Sequence, residues 1–288
     1  MPKHSSRGDW PKKGSRERKR GLLERLADWL ASYPRRQRSR ARLLAEPFPL
    51  SWQQYLQANV AIYRVVPPAT QESLRNTLRI FVAERRWEGC GGLAITEEMQ
   101  VTIGAQACLL LLGMEHDYFS QVSSILLYPS GFQVDEHRAG HGGLIEEEGV
   151  PLIGQAWRRG PVILAWDEVL ADAREAGHGH NVVYHEFAHQ LDFQGSWPHG
   201  VSRAEMRELE RRWNEVMTAE YERLIRASER GRATLLDDYG ATSPAEFFAV
   251  STECFFEQPV RLQRRHPRLY DMLRLFYGQD PAEWFAER

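Results

Sequence analysis

Apolar residues recur at helical spacing over most of the chain, and this pattern predicts a mainly helical protein. Residues 70–81 keep the spacing throughout, with Thr70 as the predicted N-cap. Residues 96–112 are apolar on nearly every face, which predicts a mostly buried helix. Further helices are predicted over residues 52–56, 181–194, 203–228, 243–256 and 266–276.

Short runs rich in β-branched and aromatic residues interrupt the helical pattern in the middle of the chain. Residues 123–129, 131–134 and 160–166 are predicted strands bounded by Gly, Pro or polar residues. Residues 87–95 contain a pair of glycines and predict a turn that leads into another short strand. The combined pattern predicts an α+β fold, mostly helical, with a small mixed sheet and additional N-terminal helices.

Charged residues are distributed unevenly along the chain. The net charge of −2 favours neither nucleic acid nor membrane as a partner. Residues 1–45 carry fourteen Lys and Arg against four Asp and Glu, and they predict a basic, mobile extension. Within it, residues 22–30 predict one amphipathic helix that could weakly contact a membrane surface, although packing on the protein is preferred. The basic run 35–42 is interpreted as a solvated linker, and residues 46–288 as the main folded domain, with a helical N-terminal part.

The three cysteines are an odd number without metal-site spacing, which favours a reducing, cytoplasmic location over a disulfide framework. Charged residues interrupt the apolar stretch near the N-terminus, so a secretory signal is not predicted. The longest apolar stretch, residues 105–113, is too short to span a bilayer. The basic N-terminus alone does not predict direct binding of nucleic acid.

His185, Glu186 and His189 form the pattern H-E-x-x-H on a helix that is predicted to begin near Asn181. Residues four apart share one helix face, so the two imidazoles could hold one zinc ion, with Glu186 as general base. Chance alone would produce the motif in on the order of a few per cent of sequences with this His and Glu content. The alternative is a helix with two ordinary histidines, and the surrounding structure must decide between them.

A catalytic zinc ion usually takes a third protein ligand, and the chain offers several carboxylates. The residue six positions after His189 is Gly195, which excludes one common arrangement with a third histidine. Glu208 and Glu210 follow at about the spacing of another arrangement, but they lie in a strongly charged helix. Glu246 opens an apolar helix, yet Ser243 and Glu246 also form a capping-box pattern, so spacing leaves both interpretations open.

Three segments together resemble the Mlc titration factor A family: residues 160–166, 185–192 and 239–250. The resemblance extends from about Phe81 to the C-terminus and leaves the basic first forty-odd residues outside. It implies a zincin-like core of the gluzincin type and a cytosolic zinc metallopeptidase. Carried over to this chain, it implies one Zn²⁺ with three ligands, a catalytic base and an active-site tyrosine: His185, His189 and Glu246, then Glu186, then Tyr239.

The predicted function is therefore zinc-dependent hydrolysis of peptide or amide bonds, and the resemblance implies an aminopeptidase with a peptide substrate. The resemblance also implies binding of a transcriptional repressor, and a non-enzymatic protein that sequesters such a repressor is the main alternative. Asp192 and Glu253 each stand seven residues after a predicted ligand and could orient it. Solvation of these two carboxylates is an equally open interpretation.

Overall fold

The computed structural model describes residues 34–130, 160–191 and 203–285. The chain divides into two compact units, Met1–Pro47 and Phe48–Arg288. In the first unit, residues 34–45 form a helix, α1, with mostly exposed residues, so the basic run 35–42 is helical and largely solvated, and its role as a linker stays a prediction. The amphipathic helix predicted over residues 22–30 lies outside the described residues. The division into a basic extension and a catalytic domain stays a prediction.

Helices open the second unit, as the apolar pattern predicts. They are α2 (Leu50–Asn59), a 3₁₀ turn (Ala61–Arg64), α3 (Pro68–Glu84) and α4 (Glu97–Leu109). Helix α3 begins earlier than predicted because Pro67 is its N-cap and Pro68 its first residue, which places Thr70 inside the first turn. The threonine that does cap a helix is Thr96, whose side chain accepts a hydrogen bond from the backbone N–H of Met99.

Three short strands form one sheet in the order β1 (Trp87–Gly89), β2 (Ile125–Tyr128) and β3 (Val162–Ala165). Both pairings are parallel, with Leu126 opposite Glu88 on one side and Ile163 on the other. The predicted mixed sheet is therefore parallel throughout its described strands, while the strand predicted at residues 131–134 lies outside them. The mostly helical α+β class is confirmed.

Helices also make up the rest of the described chain. They are α5 (Trp166–Arg174), α6 (Val182–Ala188), α7 (Arg203–Ser228), a 3₁₀ turn (Asp238–Ala241), α8 (Pro244–Glu257), α9 (Pro259–Arg265), α10 (Pro267–Tyr277) and α11 (Pro281–Phe285). Each of the last four begins with a proline, whose fixed φ and missing N–H suit the first helical position. The helices predicted over residues 203–228 and 243–256 are present with nearly the predicted bounds.

Helix α8 runs through the centre of the core. Every residue from Phe247 to Glu257 is buried, and the rings of Phe248 and Phe255 pack on Tyr277 of α10. A carboxylate on such a helix must find polar or charged partners, because burial of an uncompensated charge is strongly unfavourable. Three glutamates of α8 find such partners beside α6: Glu246, Glu253 and Glu257. Within the described part of the chain, no helix combines the length and apolarity needed to cross a membrane.

Candidate metal centre

The H-E-x-x-H motif lies on α6, a short buried helix held at both its start and its apolar face. Asn181 caps it by accepting a hydrogen bond from the backbone N–H of Tyr184 at 3.0 Å. The amide of Asn181 also donates to Gln106 of α4 at 2.7 Å. On the apolar side, the ring of Phe187 packs edge-on against that of Phe119, with 4.9 Å between centroids. These contacts orient the polar face of α6 toward α8.

Two histidines of α6 and one glutamate of α8 converge on that face. His185, His189 and Glu246 each offer one ligand atom, and these three atoms lie within 4.8 Å of one another. Glu246 Oε2 lies 2.8 Å from His185 Nε2 and 3.4 Å from His189 Nε2. The rings of the two histidines stand 4.9 Å apart between centroids.

The N-terminus of α8 is capped by Ser243 and not by the carboxylate of Glu246. Ser243 is the N-cap of α8, and its hydroxyl accepts a hydrogen bond from the backbone N–H of Glu246 at 3.2 Å. The carboxylate of Glu246 points the other way, at the histidines of α6. Both interpretations of Glu246 therefore apply. Its backbone N–H takes part in the helix cap, and its side chain faces the histidines.

The donor set fits a divalent cation such as zinc. Two imidazole nitrogens and a carboxylate oxygen are donors that zinc accepts in catalytic sites. Within the described part of the chain, buried His189 Nε2 makes no hydrogen bond, although Glu246 Oε2 lies 3.4 Å away, and a buried polar atom of this kind normally makes one. Burial acts to raise the pKa of Glu246, but its contacts with His185 and His189 lower that pKa to about 2, so this side chain is anionic. Negative charge at a buried point favours a cation there.

Glu186, the predicted base, lies beside this cluster and is only 6% exposed. Burial raises the pKa of Glu186 to about 8, although the positive charge of His185 opposes the shift. A carboxyl group that titrates near neutrality can both accept and return a proton at working pH. Tyr239 lies in the 3₁₀ turn before α8, and its ring centroid is 6.1 Å from that of His185. The structure thus brings all five predicted site residues together.

Glu253 is a further member of the site that spacing alone left undecided. It is 3% exposed, and its Oε1 lies 2.7 Å from His185 Nδ1, on the opposite side of the ring from Glu246. Its position two turns after Glu246, on an otherwise apolar helix, was the available sequence signal. Gln106 and Glu257, which complete the polar contacts around Asn181, carried no such signal.

The competing third ligands lie elsewhere or outside the described residues. Glu208 is 55% exposed on α7 and pairs with Arg211 at 2.7 Å, while Glu210 is exposed on the same helix. Neither belongs to the cluster formed by the two histidines and Glu246. Asp192 and Gly195 lie outside the described residues, so the suggested orienting contact from Asp192 stays a prediction.

Comparison with known proteins identifies the class of this chain. The family model of the glucose-regulated metallo-peptidase M90 matches residues 34–278, so the chain belongs to this family. A metallopeptidase family implies a metal ion, in agreement with the donor set. The match begins at residue 34, which corrects the narrower extent of the resemblance expected from sequence.

The relatives include proteins that carry the name inferred from the motifs. Mlc titration factor A of Klebsiella pneumoniae (strain 342) is 32% identical over 242 residues, which are 83% of this chain and 89% of the relative. The protein of the same name from Serratia proteamaculans is 35% identical over 193 residues, 66% of this chain and 72% of the relative. An uncharacterised protein of Synechocystis sp. is 36% identical over 241 residues, 83% and 88% of the two chains. The resemblance to the Mlc titration factor A family is confirmed.

Proposed function

We propose that this protein is a zinc-dependent peptidase of the gluzincin type with a zincin-like core. The observation that carries the proposal is the convergence of His185, His189 and Glu246 within 4.8 Å, beside the buried carboxyl group of Glu186. Two histidines one helical turn apart, a glutamate from a second helix and an adjacent acid–base group form the donor set of a hydrolytic zinc site. We assign the three convergent residues as ligands and Glu186 as the catalytic base.

The side chains around the proposed zinc ion would divide the proton transfers of hydrolysis between them. His185, His189 and Glu246 would hold the zinc ion, which would supply Lewis-acid chemistry by lowering the pKa of a water molecule and polarising the scissile carbonyl. Glu186 accepts the proton of the attacking water and later delivers it to the leaving amine. Tyr239 donates a hydrogen bond to the oxyanion that develops on the carbonyl oxygen. The buried position of Glu186, next to His185 on α6, supports this assignment.

Peptides are the proposed substrates, and release of an N-terminal residue is the proposed reaction. This finer assignment depends on the family resemblance of residues 185–192 and 239–250. The proposal places the reaction in the cytoplasm, in line with the odd cysteine count. Direct contact with nucleic acid is not part of it.

Replacement of the base tests the enzyme proposal. Glu186→Gln should keep one zinc ion per chain but lower hydrolysis of chromogenic amino-acid amides by about 10²–10⁴-fold, because the proton acceptor is lost. Glu208→Gln, on the exposed face of α7, is the matched control and should retain both zinc and activity. Equal turnover by Glu186→Gln and the wild type would contradict the assignment of the base.

Binding of a transcriptional repressor is a second candidate function, favoured by relatives named Mlc titration factor A. The two functions are compatible, since a repressor could bind away from the metal centre. Purified Mlc-type repressor should then bind the wild type and Glu186→Gln with equal affinity. A protein that binds the repressor, but shows no turnover of amides or peptides with zinc bound, would instead be a non-enzymatic regulator.

A further inference from the structure

We propose that Glu253 is a positioning residue of the metal centre, which fixes the tautomer and ring plane of His185 and thereby sets the affinity for zinc. This inference rests on the proposed function, because it assigns His185 as a zinc ligand through Nε2. Glu253 itself is not among the possible metal ligands, which are His185, His189 and Glu246. It acts on the metal only through the imidazole that it touches.

The contact with His185 determines which ring nitrogen faces the metal. Glu253 Oε1 lies 2.7 Å from His185 Nδ1, while Nε2 of the same ring points at Glu246. A carboxylate accepts hydrogen bonds and donates none, so Nδ1 carries a hydrogen that Glu253 accepts, and Nε2 is the nitrogen at which a metal ion would replace the hydrogen directed at Glu246. Imidazoles that bind metals commonly make such a contact through their second nitrogen, and it raises their basicity as ligands.

The second oxygen of Glu253 is held just as firmly. Oε2 accepts a hydrogen bond from the backbone N–H of Asn181 at 2.7 Å, and it lies 2.6 Å from His180 Nδ1. Three nitrogens therefore surround two carboxylate oxygens, and both oxygens serve as acceptors. Asn181 is the N-cap of α6, so one side chain joins the start of the motif helix and its first ligand to α8.

Helix α8 thereby places two carboxylates on opposite sides of one imidazole. Glu246 contacts Nε2 of His185, and Glu253, two helical turns later, contacts Nδ1. Because both belong to the same helix, the ring cannot rotate without breaking a contact at one of its nitrogens. The geometry holds the ring plane of His185 and the direction of its Nε2 before a metal arrives, which lowers the reorganisation needed on binding.

Glu257 provides a matched control for a purely structural effect. It lies on the same helix, is 4% exposed, and accepts a hydrogen bond from the backbone N–H of Gly177 at 2.7 Å. It also receives the amide of Asn181 at 3.4 Å. Glu257 thus supports the same loop and the same helix start as Glu253, but His185 is not among the partners described for it.

The test is the zinc affinity of Glu253→Gln and Glu257→Gln, measured on the full chain by competition with a chelator. In glutamine an NH2 group, which only donates, replaces one of the two carboxylate oxygens, so the contact with either His185 or Asn181 loses its acceptor. We expect Glu253→Gln to weaken zinc binding by about 10–100-fold, and Glu257→Gln to stay within about threefold of the wild type. The visible spectrum of bound Co²⁺ should change in Glu253→Gln alone. An unchanged affinity in Glu253→Gln, or an equal loss in Glu257→Gln, would overturn the inference.

A second measurement needs no variant and covers a failure of Glu253→Gln to fold. Long-range ¹H–¹⁵N NMR of the zinc-loaded wild type should show His185 with its hydrogen on Nδ1, and hydrogen on Nε2 would overturn the inference. If the wild type binds zinc but either test fails, Glu253 is not a positioning residue and the proposed enzyme survives. If the wild type does not bind zinc through His185, His189 and Glu246, the proposed function and this inference fail together.

Discussion

Glu246 is the side chain on which the proposed metal centre depends most. It stands in the first turn of α8, where a glutamate can serve as part of a capping box. Its backbone N–H is capped by the Ser243 hydroxyl, while its carboxylate lies against His185 and His189. The helix start therefore does not need the carboxylate, which is left to act on the histidines.

Removal of this carboxylate should release the metal. Glu246→Ala should weaken zinc binding by more than the ~10–100-fold that loss of an outer hydrogen-bond partner costs, because one of three proposed ligands is gone. Zinc per chain after gel filtration, measured by mass spectrometry, reports the loss directly. Glu208→Ala is the control, since its exposed carboxylate pairs with Arg211 on α7. Loss of zinc from Glu208→Ala, with retention by Glu246→Ala, would mean that the third ligand was chosen wrongly.

Helices of this protein are stabilised partly by their ends, and the capping residues were only partly evident from sequence. Asn181 caps α6 as predicted, and this matters because α6 has only seven residues and would not persist alone. Thr70 is not a cap, because two prolines start α3 ahead of it. Helix α10 ends at Gly278 in the left-handed conformation, with φ of 59°.

The end of α10 offers a matched pair of glycine substitutions. Gly278 and Gly231 share nearly the same positive φ, 59° and 58°, and both are exposed. A Cβ on Gly278 would lie 2.2 Å from the backbone oxygen of Gly113, whereas one on Gly231 would meet no atom within 4 Å. Gly231→Ala should therefore cost about 1–2 kcal/mol of unfolding free energy for its backbone conformation alone.

Gly278→Ala should cost about 1–3 kcal/mol more, because the backbone after α4 must move away from α10. Denaturant unfolding of both variants at the same zinc concentration measures the difference. An equal loss of stability in the two variants would show that the close approach of Gly113 to Gly278 carries no energetic weight.

The proposed centre joins parts of the molecule that are far apart in the chain. His185 and Glu246 are separated by 61 positions, and their contact connects α6 to α8. Asn181 adds a connection to α4 through Gln106, 75 positions away. A metal held at this point would cross-link these elements in the folded state alone. Zinc binding should therefore stabilise the whole second unit.

Zinc should raise the midpoint of thermal unfolding of the wild type. A ligand that binds only the folded state at 100 times its Kd contributes about 2.7 kcal/mol, which is a shift of about 5–10 °C for a domain of this size. A chelator should reverse the shift, and differential scanning calorimetry measures both effects. His189→Ala is the control, since it removes one proposed ligand. A shift of equal size in that variant would show that zinc stabilises the protein from another site.

Local patterns in the chain were sufficient for much of this architecture. Helical periodicity predicted α7 nearly to its ends, because α7 buries an apolar stripe that repeats along the helix. Helix α8 was predicted with similar accuracy from its apolar run, which is buried on every side. Spacing also predicted that His185 and His189 share a face, since residues four apart lie one above the other. The helix at residues 34–45 and the parallel pairing of the strands were missed. The many charged residues of the segment 34–45 obscured its helical pattern. Parallel pairing of the strands depends on the crossover connections between them, which local patterns do not show.

The third member of the cluster was decided by tertiary structure. Spacing could not choose between a capping and a metal-facing Glu246, because both need a carboxylate in the first turn of α8. The contact of Glu253 with His185 was equally out of reach, since it depends on which face of α8 packs against α6. Periodicity shows which residues of one helix lie together, but the packing of two helices selects the faces that meet.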